Sequence, residues 1–81
     1  MFKISTVLFP DKDQEEFPET YQSPIEAINA FSQKFEMLDH SMTYMPVLIL
    51  SYNGREIHKE AKPMYRELDV ARVFQSVSKV L

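Results

Sequence analysis

Apolar and polar positions alternate from Phe2 to Phe9, with Phe2, Ile4 and Leu8 on one parity and Val7 and Phe9 on the other. A period of two in a run rich in β-branched and aromatic residues predicts a strand. Pro10 ends it, because a proline has no N–H to give a ladder. From Pro10 to Gln22 the pattern lapses into a polar, acidic stretch with two prolines and two aromatics, Phe17 and Tyr21. We read this stretch, residues 10–22, as a connecting acidic loop.

The period then changes. Ile25, Ile28, Phe31 or Ser32, Phe35 and Leu38 recur at helical spacing. Ser23-Pro24-Ile25-Glu26 supplies a start signal: Ser23 suits the N-cap, Pro24 the first helical position, and Glu26 the return arm of a capping box. A helix is predicted from Pro24 to about Leu38, followed by a loop over Asp39 to Tyr44. Met45 to Tyr52 is a continuous apolar strand, interrupted only by Pro46. Asn53-Gly54 follows, with the chain's one glycine where a two-residue type I′ turn needs positive φ. Arg55 to about Ala61 is therefore a strand antiparallel to Met45 to Tyr52. Pro63 breaks it, Asp69 suits a second N-cap, and Val70, Val73, Phe74, Val77 and Leu81 fall on one helical stripe. Valine propensity favours strand here, but the period decides for helix.

The predicted order is β-α-β-β-α. This is an α+β domain with a two-layer, three-stranded mixed sheet and two helices, the first crossover parallel, Met45 to Tyr52 central and the strands in order 1-2-3. At 81 residues the chain supports one domain, residues 1–81.

The two-residue turn sets Tyr52 opposite Arg55, Leu50 opposite Ile57 and Ile49 opposite His58. Leu48, Leu50, Tyr52 and Ile57 then share one face, and Val47, Ile49, Glu56, His58 and Glu60 the other. If both helices cover the first face, the second is open, and Val7, Phe9, Val47 and Ile49 make it more apolar than a solvated sheet face should be. Either one helix lies on each face or a partner covers the open one. Val7, Phe9, Val47, Ile49 and His58 are the candidate partner-binding residues of this face.

Composition and charge narrow the function. The chain has no cysteine, which removes disulfides, Cys-based zinc sites and thiol nucleophiles, and favours a cytoplasmic setting. The longest unbroken apolar run, Met45 to Leu50, is far too short to span a bilayer. Net charge is −3, and the segment Asp11 to Glu19 holds five acids and one lysine, so it sets the sign of the molecule. Its Asp11, Asp13, Glu15, Glu16 and Glu19, with Phe17 as an aromatic anchor, are a second candidate contact, suited to a partner with a basic surface. The competing reading is a solvated charge run that serves solubility.

Catalytic signatures are weak. Seven serines and a single glycine give no nucleophile elbow and no phosphate-cradling loop. His40 and His58 are 18 residues apart in different elements and sit in no recognisable frame. The segment opening at Asp11 resembles a calcium loop at its start, but Glu16 replaces the required glycine and Gln22 the bidentate glutamate. No catalytic, metal or cofactor residue is assigned. Arg55, Lys59, Lys62 and Arg66 form a basic series interleaved with Glu56, Glu60 and Glu67, which cancel its field, so a nucleic-acid regulator ranks second. The first expectation is a non-enzymatic inhibitor-type or regulatory domain that binds a protein partner, or itself as a homo-oligomer.

Overall fold

In a computed structural model of the chain, residues 1–10, 13–39, 44–63 and 67–81 are described. Asp11, His40 and Arg66 lie outside them. The elements are β1 (Phe2–Phe9), β2 (Gln14–Tyr21), α1 (Pro24–Met37), β3 (Met45–Tyr52), β4 (Arg55–Ala61) and α2 (Val70–Ser78). The sheet order is β2-β1-β3-β4, and each neighbouring pair is antiparallel.

This corrects the expected three-stranded mixed sheet. The acidic stretch read as a loop over residues 10–22 contains a strand, β2, paired to β1. Its two apolar residues, Phe17 and Tyr21, share a parity and pack against the core. An edge strand with one solvated side needs little more, and the charges and proline that hid it from sequence are typical of protected sheet edges. Pro18 falls where the register slips: Lys3 pairs with Thr20 and Ser5 with Glu16, so three β2 residues oppose Ile4 alone. The extra strand also changes the topology. It returns the chain to the end where β1 began, so the path through α1 delivers β3 antiparallel to β1, and the expected parallel crossover does not form. The three strands that were expected do keep their order, as β1-β3-β4.

The Ser23 cap, the Asp69 cap and the Asn53-Gly54 turn behave as written in the sequence. The Ser23 Oγ accepts from the Glu26 amide at 3.4 Å, and Pro24 opens α1. The Asp69 carboxylate accepts from the Ala71 amide at 3.1 Å and starts α2. Asn53 and Gly54 adopt φ of 51° and 80°, the pair of positive values that a type I′ turn requires. At the other end of α1, the Lys62 ammonium donates to the carbonyls of Phe35 and Glu36, at 2.7 and 3.0 Å, and so supplies both a donor and a positive charge to the helix C-terminus.

One core joins both helices to one side of the sheet. Phe2, Ile4, Leu48 and Leu50 meet Ala27, Ile28, Phe31 and Phe35 of α1 and Val73 and Val77 of α2. Each helix stripe is narrower than its periodicity suggested. Ile25 of α1, Val70 and Phe74 of α2 and Leu81 beyond it are exposed, and the residues that α2 buries are Val73 and Val77.

Candidate interaction surface

Alternation along a strand sends odd and even residues to opposite faces, so burial of Phe2, Ile4, Leu48 and Leu50 under the helices leaves their neighbours on the other side. Pair register orders that side into rows. Thr20, Lys3, Ser51 and Glu56 lie across one row; Glu16, Ser5, Ile49 and Lys59 across the next; Gln14, Val7, Val47 and Ala61 across the third; Phe9 and Met45 end the array. The apolar residues thus cluster toward one end of β1 and β3, with charges at both flanks.

Val7, Phe9, Val47 and Ile49 are brought together, as the sequence suggested. With Gln14, Glu56 and Lys59 they line a shallow groove of about 400 Å³. Phe9 is 50% exposed, whereas Ile49 is only 5% exposed and forms part of the floor. The Gln14 amide donates to the Ser5 hydroxyl at 2.8 Å, which satisfies a polar side chain buried in mid-face. The rim is ionic: Lys3 pairs with Glu16 at 2.6 Å and Lys59 with Glu56 at 3.5 Å. Glu56 falls on this face as the hairpin pairing predicts, whereas Gln14, Lys3 and Lys59 are not among the residues that the sequence places there. Lys59 is hidden by the register error described next, and Gln14 and Lys3 by the missed strand and by attention to apolar positions alone.

His58 does not belong to this face, nor does Glu60. The hairpin turn is as expected, but the register beyond it is not: Tyr52 opposes Arg55 and Ser51 opposes Glu56, while Leu50 opposes His58 and Ile49 opposes Lys59. Ile57 is an extra residue on β4, a β-bulge that turns every later side chain to the other face. His58 is 8% and Glu60 2% exposed, both beneath α2. There the His58 Nδ1 stands 2.6 Å from the Ser76 hydroxyl, and its Nε2 2.9 Å from the Glu60 carboxylate. Arg72 extends the chain of contacts to Glu60 at 3.6 Å, and the Phe31 ring meets the imidazole edge-on at 5.7 Å. A carboxylate only accepts, so Nε2 carries a proton.

Serine, histidine and glutamate in that order are the parts of an activated nucleophile. Ser76, however, lies inside α2, where the neighbouring backbone N–H groups are spent on the helix, so no pair of them is aimed at a developing oxyanion. The arrangement ties α2 to β4.

The acidic residues do not act as one patch. Glu16 is held by Lys3, and Glu19 by Lys34 at 3.0 Å. The Lys34 hydrogen bond, with a backbone amide contact, lowers the Glu19 pKa below its ordinary 4.5. The same Lys34 ammonium sits 4.3 Å from the centre of the Phe17 ring, so Phe17 is engaged by its own molecule. Asp13 and Glu15 border a separate groove beside Leu8, Leu38 and Asp39. Of the basic series, Lys59 faces Glu56, and Lys62 is committed to α1, which leaves little of a phosphate-tracking stripe. No family model, curated protein or solved structure matches the chain. Function therefore rests on the surface itself. No helix among the described residues is long and apolar enough to cross a membrane.

Proposed function

We propose that this chain is a protein-interaction module that works by binding, with the open sheet face as its contact surface. The observation that carries the reading is the row structure: Val7, Val47 and Ile49 lie side by side with Phe9 at their end, on the one side of the sheet that neither helix covers. An apolar cluster ringed by charge is the usual anatomy of a docking patch. Its role is that of an accessory or inhibitor-type domain, in a reducing, cytoplasmic setting where a fold without disulfides is at home. Asp13 and Glu15, less engaged than Glu16 and Glu19, offer a second contact to a basic partner.

The test is a comparison of neighbours. Val47→Lys places a charge in the patch and leaves the core untouched, so its circular dichroism should match wild type while capture of a partner, or of itself, is lost. Binding that survives Val47→Lys undiminished, in a folded protein, removes the open face from the proposal.

A further inference from the structure

We propose that the occupant of the open face is a second copy of this chain, packed face to face about a two-fold axis that runs parallel to the strands. The inference deepens the sheet-face reading and rests on it. Such an axis carries each row onto itself in the other copy but exchanges the flanks, so β2 of one copy lies over β4 of the other. The row Glu16, Ser5, Ile49, Lys59 then sets the Glu16 of each copy over the Lys59 of the other, twice by symmetry. The first row, Thr20, Lys3, Ser51 and Glu56, brings the Glu56 of one copy beside the Lys3 of the other. In the third row Val7 of each copy meets Val47 of its mate, and in the fourth Phe9 meets Met45. Each charge named here has an opposite sign across the interface, Val7 and Phe9 meet Val47 and Met45, and Ile49 meets the Ser5 of the other copy.

An axis across the strands serves the face less well. It keeps β2 over β2, and the open side of β2 shows Thr20, Glu16 and Gln14, with no base to receive Glu16. The aligned stacking of two twisted sheets, at about 30°, is a standard packing and tolerates the twist of this one. Strands ~4.8 Å apart and rows ~6.8 Å apart give a face of roughly 400 Å² in plan for each copy. A dimer burying that area from each side belongs to the small, reversible class, with a dissociation constant on the order of micromolar or weaker.

Sedimentation equilibrium of the full chain from about 1 μM to about 1 mM reads the assembly directly, a span chosen to bracket such weak association. Wild type should pass from monomer toward dimer. E16K alone faces lysine with lysine, and K59E alone faces glutamate with glutamate, so each should stay monomeric at concentrations where wild type is half dimeric. An equimolar mixture of E16K and K59E restores opposite charges at both contacts and should dimerise again as a heterodimer. Circular dichroism of each variant guards against simple unfolding. Dimerisation of each single variant at wild-type strength, or no recovery in the mixture, overturns the axis. A wild type that stays monomeric throughout overturns the second copy as occupant. If Val47→Lys still abolishes capture of another protein in that case, the sheet-face reading stands without it.

Discussion

Truncating Glu60 removes a carboxylate that is 2% exposed and leaves the imidazole N–H of His58, itself nearly buried, without its acceptor 2.9 Å away. The stranded donor costs about 1–3 kcal/mol. Loss of the buried Cγ methylene, which alanine lacks, adds about 1 kcal/mol. Glu60→Ala should therefore cost about 2–4 kcal/mol, a large share of the total stability of roughly 5–8 kcal/mol expected for a domain this small. Glu60→Gln keeps the shape and one acceptor oxygen and should cost about half as much. The diagnostic variant is the double one. A buried hydrogen-bonded pair replaced on both sides by apolar side chains of similar volume is often nearly neutral, so His58→Phe with Glu60→Leu should be less destabilising than the sum of the singles by more than about 1 kcal/mol. Urea unfolding followed by far-ultraviolet circular dichroism gives the three values, provided the slope with denaturant stays constant. Additive singles, or a Glu60→Ala change costing less than about 0.5 kcal/mol, would falsify the claim that His58 and Glu60 satisfy each other in a dry site.

Gly54→Val should lower stability by about 1–3 kcal/mol, all of it backbone strain, because a Cβ at this position meets nothing within 4 Å and the φ of 80° alone opposes it; Gly54→Asn should recover most of the loss in a thermal melt. Lys62→Met keeps the aliphatic stem but deletes the donor to the Phe35 and Glu36 carbonyls, so the last turn of α1 should show faster amide exchange and the domain should lose about 1 kcal/mol. Glu19 has a folded-state pKa below 4.5, so its ion pair with Lys34 contributes fully above that pH and is lost as the pH falls through the lowered value. A carboxyl titration by nuclear magnetic resonance should show that midpoint rise toward 4.5 in Lys34→Met.

What the sequence disclosed was local. The Ser23-Pro24 start, the Asp69 cap and the Asn53-Gly54 turn each rest on a few adjacent residues whose backbone preferences leave little choice, and all three elements form where those residues stand. β2 was hidden because its identity as a strand depends on β1 beside it. Phe17 and Tyr21 share a parity, but three acids and Pro18 outweigh two aromatics in any local reading. The bulge at Ile57 was hidden for a different reason. The turn fixes only the first pairs of a hairpin, and the gain that shifts the rest is the fit of His58 between Ser76, Glu60 and Phe31, contributed from across the molecule. Four of the five face residues could be grouped from strand parity, and the fifth, His58, was lost to that single inserted residue.

The two margins of the sheet are chemically unequal. β4 runs from Arg55 to Ala61 with no proline, while β2 carries a proline at its register slip and acids along its length. In the vocabulary of polymer chemistry, the molecule has one end that a proline caps and one that it does not. Such a monomer can terminate a growing chain but cannot extend it. If partial unfolding or crowding drives strand-to-strand addition, two molecules can join β4 to β4 and the process stops there, since both remaining ends are β2. A proline and acids on the β2 edge oppose fibrous growth of a small apolar sheet, and the same residues make this segment hard to recognise as a strand.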